Sequence, residues 1–331
     1  MYQEFNNKTI LITGWSGSWW NEITKQLLEN YNPKEVIIYS RWELAQVMMS
    51  RKFSKYKNIK FIIWDVRDLE RLVETTKCVD YIFHLAALKH VPICENNHWE
   101  CIKTNINGSK NVIEAANINK IWNVIYLSSD KACNPINLYW NSKSISEKLI
   151  IDANFENKKT KFVCIRAWNV IWTNGSIIPF FIDILKNSSK PLPITDIWMT
   201  RYFMTLSEAI NLIFKATKTS IGWEIFVTKM PSCHILELAE VLSNHYNKEF
   251  NYNVIWSRPW EKIHEELISE YEAINTVEDN EFRIILPDDK KIIKKYKNYP
   301  KMKEKKYTSN DILMNKNEIK NMLSNSWFLN G

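Results

Sequence analysis

Six apolar runs of strand length, nearly unbroken by polar residues, alternate with helical patterns over the first half of the chain. They read KTILITG (Lys8 to Gly14), EVIIYSR (Glu35 to Arg41), IKFIIWD (Ile59 to Asp65), DYIFHLAA (Asp80 to Ala87), NVIYLSSD (Asn123 to Asp130) and KFVCIRAWNV (Lys161 to Val170). Strands apolar on both faces must be covered on both faces, and crossover helices do that for parallel neighbours. The expected fold is α/β: a Rossmann-like, doubly wound parallel sheet over residues 1–173, binding ligands at the carboxyl ends of its strands. After Val170 the rhythm breaks. PFFIDILKN and HILELAEVLSNHY read as helices, EIFVTK and NYNVI as short strands. A smaller substrate-binding unit is expected over 174–287, partly interleaved with the first. There is no internal repeat.

The bulk numbers exclude several classes. At 45% hydrophobic and 24% charged the composition is that of an ordinary soluble globular protein. No apolar stretch approaches the ~20 residues of a membrane helix. The opening MYQEFNNKTILITG lacks a charged flank followed by an apolar core, so no signal peptide is read and a cytoplasmic chain is expected. The six cysteines are scattered without a C-x-x-C pair, which favours reduced thiols. Net charge is +7, but nine lysines fall between Lys290 and Lys306. That tract, in a segment over 288–331, reads as a solvated, partly flexible tail. A nucleic-acid site is disfavoured because no aromatic platform is interleaved with it. The six histidines show no metal spacing. His84 and His90 read as packing groups or as neighbours of the site.

Three motifs carry chemistry. TGWSGSWW, Thr13 to Trp20, joins the first strand to the first helix, where backbone N–H groups can hold a pyrophosphate. Thr13, Gly14, Ser16, Gly17 and Ser18 are its candidate cofactor contacts. After the second strand, Ser40 and Arg41 stand where an acidic residue would grip the ribose of NAD. A hydroxyl and a guanidinium suit a 2′-phosphate instead, which points to NADP, against the bland alternative of a surface arginine. Asp65 and Val66 end the third strand, placed to meet the adenine. Finally, SSDKACNPINLYWNSK puts Tyr139 and Lys143 four residues apart on one helix face. The ammonium can lower the phenol's pKa and orient the ribose, so that Tyr139 takes a sugar hydroxyl proton. Asp130 and Lys131 beside them are either an acid–base pair or a structural ion pair.

These motifs, with ALKHVPICENN, ECIKTNI, GSIIPFF, PITDIWMTRYFMT, EIFVTKMPS and RPWEKIHEELIS, resemble an extended short-chain dehydrogenase/reductase. More narrowly, the chain resembles the inverting UDP-N-acetylglucosamine 4,6-dehydratases that begin pseudaminic acid synthesis, over about residues 6 to 287. The resemblance implies a soluble enzyme with tightly held NADP, acting on UDP-N-acetylglucosamine and forming dimers or larger rings. It implies that Tyr139 deprotonates the carbon-4 hydroxyl, Lys131 removes the carbon-5 proton and Asp130 protonates the departing carbon-6 hydroxyl. Ala86, Ala87 and Lys89 would line the cofactor, with Lys89 also reaching substrate. Asn169, Arg201, Arg258 and Glu261 would hold the sugar nucleotide, although arginines in isolation would read as surface salt bridges. A UDP-sugar 4-epimerase of the same fold, or a non-catalytic nucleotide-binding protein, is the rival reading.

Glycine and tryptophan are inverted in this chain. It has six glycines, under 2% against the ~7% usual for proteins, and fifteen tryptophans. Set against the family, Trp15, Trp20, Trp64, Trp140, Trp168, Trp172, Trp223, Trp256 and Trp260 occupy glycine positions. Trp42, Trp122 and Trp198 are looser matches, and Trp19, Trp99 and Trp327 sit where a bulky residue is unsurprising. Restoring twelve yields eighteen glycines and three tryptophans, both ordinary totals. Our hypothesis is that UGA codons read as glycine by the source stand here as tryptophan. Taken literally, the tryptophans would cost ~1 kcal/mol or more at each positive-φ site and ~1–3 kcal/mol for each overpacked one. Nine such sites exceed a stability of ~5–15 kcal/mol, so the literal chain is expected to fold poorly and bind NADP weakly. Peptide mass spectrometry of native protein should find glycine at these positions. UGG codons there would refute the hypothesis.

Overall fold

The computed structural model describes residues 4–14, 18–156, 159–167, 177–256 and 261–325. The six expected runs form β1 (Thr9–Thr13), β2 (Glu35–Ser40), β3 (Ile59–Ile63), β4 (Tyr81–His84), β5 (Asn123–Ser129) and β6 (Lys161–Ala167). All six are parallel, in the order β3-β2-β1-β4-β5-β6. The helices between and after them are α1 (Ser18–Asn30), α2 (Glu43–Lys52), α3 (Leu69–Thr75), α4 (Val91–Asn96), α5 (His98–Cys101), α6 (Gly108–Asn119) and α7 (Leu138–Glu156).

Alternate residues of each strand point to opposite faces, so each face builds its own core. Ile10, Ile12, Val36, Ile38, Phe83, Ile125 and Val163 pack on one side, against Ile23 and Leu27 of α1. Leu11, Ile37, Ile82, Val124 and Phe162 pack on the other, against Val112 and Ala116 of α6 and Ile150 of α7. Coverage on both faces is what the unbroken apolar runs required.

Beyond residue 176 lie α8 (Ile177–Asn187), β7 (Leu192–Ile194), β8 (Thr200–Tyr202), α9 (Leu206–Thr219), β9 (Ile225–Thr228), β10 (Ser232–His234) and α10 (Ile235–His245). They are followed by β11 (Tyr252–Val254), β12 (Glu266–Ile268), α11 (Glu270–Ala273), β13 (Thr276–Glu278) and β14 (Phe282–Ile285). β9 joins the main sheet parallel to β6, and β14 and β13 extend it antiparallel, making nine strands. Around α8 and α10 a separate apolar cluster forms from Phe181, Leu185, Leu238 and Leu242.

The basic segment is not the solvated tail expected from its charge. It forms α12 (Lys290–Lys295), β15 (Tyr307–Thr308) and α13 (Lys316–Asn325). β15 pairs with β12, while Ile319 and Leu323 complete the core around α10. Its lysines are interrupted at helical spacing by Ile292 and Tyr296, both buried, and the Tyr296 hydroxyl donates to buried Glu224. The apolar stripe decides the fate of the segment, and the lysines solvate its outer face.

Among the described residues the largest fully buried side chain is Arg166 of β6. Its guanidinium donates to Glu147 of α7 at 2.8 and 3.0 Å, to Glu272 of α11 at 2.6 and 3.0 Å, and to the Leu267 carbonyl at 2.6 Å. Burial pushes the Glu272 carboxyl up, but Arg166 overrides it and holds the group at about 2.

The tryptophans at glycine-like positions behave as misfits. Trp223 has φ +77°, in the left-handed region that glycine favours. A buried indole N–H normally finds an acceptor, yet those of Trp20, Trp140 and Trp223 have none. Trp198 and Trp256 are 66% and 95% exposed. The expectation that Trp20 blocks packing of the first helix is not met: α1 takes its ring into the core beside Ile23 and Leu27. Trp15, Trp168, Trp172 and Trp260 lie outside the described residues. Trp223→Gly should stabilise the chain by ~1 kcal/mol, since relieving a left-handed residue and a buried orphan donor outweighs the ring's lost contacts. A lower urea midpoint for Trp223→Gly would contradict this.

Candidate active site

The carboxyl ends of β1, β4 and β5 meet at one edge of the sheet, and the candidate residues gather there. Gly14 follows β1 with φ +96°. A Cβ at this position would stand 2.8 Å from the Ala86 nitrogen and 2.9 Å from its Cα, so only glycine lets this backbone close on Leu85 and Ala86. Asn105, from a π-helical turn at Ile102–Asn107, accepts from Leu88 N at 2.7 Å and donates to the Ser142 hydroxyl at 2.8 Å. It thereby links the segment after β4 to α7. The Thr13 hydroxyl meets His84 Nδ1 at 2.7 Å, and His84 Nε2 meets the Ser109 hydroxyl at 3.1 Å. Burial, reinforced by the nearby Lys143 charge, holds His84 at about 3 and therefore neutral. It is a packing group, as read from sequence; His90 is exposed at the start of α4.

At the adenosine end, Ser40 is buried, and its hydroxyl oxygen accepts from Gln46 at 2.9 Å. Arg41 is exposed and reaches Asp65 only at 3.4 Å. Asp65 is held more firmly by Arg67 at 2.7 Å, and Val66 is buried against Gly108. Lys89 is exposed. Ser16, Gly17, Asn169 and Arg258 lie outside the described residues, and Ser18 opens α1.

Asp130, Lys131, Tyr139 and Lys143 are brought together. β5 ends in a 3-10 turn, Asp130–Ala132, whose start is capped by Ser129 accepting from Lys131 N. The Asp130 carboxylate is buried and receives Lys131 Nζ at 2.9 and 3.1 Å and the Ser129 hydroxyl at 2.6 Å. Burial pulls Lys131 down, but Asp130 and Glu265 reverse this and push it well above its ordinary range. Asp130 is correspondingly lowered, with burial opposing and Lys131 prevailing. Tyr139 is buried at the start of α7. Desolvation pushes it up to about 12, Lys131 draws it down and Asp130 raises it.

The expectation that Lys143 tunes Tyr139 is corrected. Its ammonium donates to the Leu127 carbonyl at 2.8 Å and lies 4.2 Å over the Tyr126 ring. The cation that draws the phenol down is Lys131. Desolvation lowers Lys143 itself to about 8.

Arg201 of β8 and Glu261 are also brought together, at 3.5 Å. Arg201 spends its remaining donors on the carbonyls of Thr200, Lys262 and Ile263 and on Glu265 at 3.4 Å. It organises the turn from Glu261 to Glu265. Lys262 crosses back to the carbonyls of Cys133 and Asn134 at 3.2 and 3.0 Å, tying that turn to the one holding Asp130. Sequence reasoning assigned no role to Glu265, although it ends the quoted RPWEKIHE stretch. Among the described residues no cluster of His, Cys, Asp or Glu could hold a metal, and no helix is long and apolar enough to cross a membrane. A cavity of about 370 Å³ lies at the opposite end of the strands, lined by Thr9, Lys34, Lys60 and Cys78. It faces the wrong edge for a Rossmann ligand.

The family described as "Polysaccharide biosynthesis protein" matches residues 10–287. The chain belongs to that family. Its curated relatives include the UDP-N-acetylglucosamine 4,6-dehydratase (inverting) of Campylobacter jejuni subsp. jejuni serotype O:23/36 (strain 81-176). That protein is 44% identical over 288 residues, which is 86% of this chain and 85% of the relative. A UDP-glucose 4-epimerase of Rickettsia bellii (strain OSU 85-389) is 39% identical over 97% of this chain and 96% of its own. The X-ray structure of Pen from Bacillus thuringiensis superposes with a TM-score of 0.89 at 33% identity, covering 98% of this chain and 99% of that one. In this member of the polysaccharide biosynthesis family, the Gly14–Ala86 approach leaves no room for a side chain after β1. Gly14→Ala should cost ~2 kcal/mol of stability, from strain and overpacking together, and weaken dinucleotide binding. Urea unfolding and a fluorescence titration would check both.

Proposed function

We propose that this protein is an NADP-dependent UDP-N-acetylglucosamine 4,6-dehydratase that inverts carbon 5, yielding a UDP-4-keto-6-deoxy-N-acetylhexosamine for pseudaminic acid synthesis. The observation that carries the reading is the gathering of Asp130, Lys131 and Tyr139 in one buried cluster at the carboxyl end of β5. A phenol, a carboxyl and an amine are the set that oxidation at carbon 4 followed by loss of water across carbons 5 and 6 requires. The Campylobacter relative, named as inverting, supports the stereochemistry. Arg41 supports NADP over NAD, because the end of β2 carries no carboxylate to grip a ribose hydroxyl. NADP, when bound, supplies a hydride acceptor for carbon 4 and a donor for carbon 6.

The chain's own residues move the protons. Tyr139 receives the proton of the carbon-4 hydroxyl, and Lys131 offsets the charge while the phenol is ionised. The resulting ketone acidifies carbon 5. Lys131 takes that proton and Asp130 gives one to the departing carbon-6 oxygen. Carbon 5 then takes a proton from solvent on the opposite face, and Tyr139 gives up to solvent the one it took from the carbon-4 hydroxyl, so none is gained or lost over the cycle. Gly14, Arg41, Asp65, Ala86 and Lys143 would hold the cofactor. Arg201 and Glu261 shape the wall on which a sugar nucleotide would rest.

A UDP-sugar 4-epimerase is the second reading, favoured by the near full-length likeness to the Rickettsia protein. Epimerisation uses Tyr139 and Lys143 but has no need of Asp130 and Lys131. Incubation of native protein with UDP-N-acetylglucosamine, followed by NMR, separates the two. The expected product has a carbon-6 methyl group, and Lys131→Met should lower its formation by roughly 10²-fold or more. A product epimeric at carbon 4 with its carbon-6 hydroxyl intact would overturn the dehydratase reading.

A further inference from the structure

The acid–base pair of the proposed reaction rests in the wrong protonation state. Elimination needs a neutral amine and a protonated carboxyl. Asp130 and Lys131 are instead locked together as carboxylate and ammonium at 2.9 Å. A proton must leave Lys131 before it can attack carbon 5, and Asp130 alone, held ionised by that same ammonium, is a poor acceptor.

Glu265 is built against this pair. It immediately precedes β12 and is buried, at 9% exposure. Its backbone is fixed from both sides by Ser309, whose hydroxyl accepts from Glu265 N at 2.9 Å and whose N–H donates to the Glu265 carbonyl at 2.8 Å. The side chain reaches Arg201 Nε at 3.4 Å, the strand it leads into packs on the 3-10 turn that carries Asp130, and the Asp130 charge raises its carboxyl. Two carboxyls in contact hold a single proton far better than either holds it alone, because the second charge cannot form without repulsion.

We propose that Glu265 is a positioning residue for the elimination: its carboxylate and that of Asp130 form a pair that accepts one proton from Lys131. The N–H bond of the ammonium breaks and one O–H bond forms within the pair. Lys131 becomes the neutral amine that takes the carbon-5 proton, and the pair becomes the acid that protonates the departing oxygen. After water leaves, Lys131 is again an ammonium and both carboxyls are ionised, so no proton is gained or lost. The inference rests on the dehydratase reading.

The charged and titratable groups facing Glu265 are Asp130 and Lys131 from the 3-10 turn and Arg201 and Tyr202 from β8, with Glu261 beyond Arg201 and Tyr139 beyond Lys131. Burial and then Asp130 push the Glu265 carboxyl up to about 7, against Arg201 and Lys131. Below that pH Glu265 takes a proton from solvent and the pair has no place for the one on Lys131. Activity is therefore present above about 7 and lost as pH falls through it.

The test is the pH dependence of kcat for dehydration by native protein, Glu265→Gln and Glu265→Asp. An amide keeps the volume and can still donate to Asp130, but it cannot share a proton. Glu265→Gln should lose about tenfold or more in kcat at pH 8, with little change in KM, and its acid limb near 7 should vanish. Glu265→Asp should restore the limb. Wild-type kcat with the limb unmoved in Glu265→Gln would overturn the proposal. So would a loss by the same factor at every pH, which is the signature of a purely structural residue. If native protein forms no 4-keto product, the dehydratase reading fails instead. If it does and Glu265→Gln keeps the limb, only the role of Glu265 fails.

Discussion

A single buried guanidinium joins β6, α7 and the segment from β12 to α11. Arg166 ends its strand between Glu147 and Glu272 and also caps the Leu267 carbonyl. Glu147 lies one helical turn beyond Lys143 and two beyond Tyr139 on α7, and Leu267 lies two residues beyond Glu265. The position of the phenol relative to the carboxyl pair is therefore set by one side chain that touches neither. Such a cluster adds little net stability, because desolvating three ions consumes most of their attraction. Removing one partner from such a cluster leaves a bare buried charge and costs ~3–5 kcal/mol. Its effect is to admit one arrangement of α7 against β12 and penalise the others.

Burial is also what differentiates the ionisable groups along this edge. The same desolvation drives His84 to a neutral imidazole, Lys143 down to about 8 and Tyr139 up to about 12. Where a partner of opposite charge is in contact, the partner prevails over desolvation, as for Asp130 and Lys131. Where the contact is a like charge, desolvation is reinforced, as for Glu265. One dry environment thus holds ionisable groups in different states according to their nearest neighbour.

Much of this was legible before any coordinates. The six core strands were visible because a parallel strand covered on both faces leaves no room for polar residues, and their observed bounds differ from the reading by a few residues. Tyr139, Lys143, Asp130 and Lys131 were legible because they are close in sequence on a strand end and the following helix. The basic segment was misjudged because charge was counted before spacing: Ile292 and Tyr296 form the stripe that docks α12. The hairpin of β13 and β14 was missed, since short runs such as TVE and FRII carry too little periodicity to announce sheet membership.

Sequence by itself determined the layered α/β architecture, the glycine-dependent turn after β1 and the closeness of Asp130, Lys131 and Tyr139, because each is encoded within a few consecutive residues. It also exposed the tryptophans as anomalous, since composition needs no coordinates. Only tertiary structure decided that Lys131 rather than Lys143 sets the charge felt by Tyr139, that Arg201 is consumed by the turn it braces, and that Glu265 meets Asp130. The last two depend on residues 60 and 135 positions apart, which packing brings together and no local pattern announces; the first depends on which way two nearby ammonium groups turn once the Leu127 carbonyl has claimed Lys143.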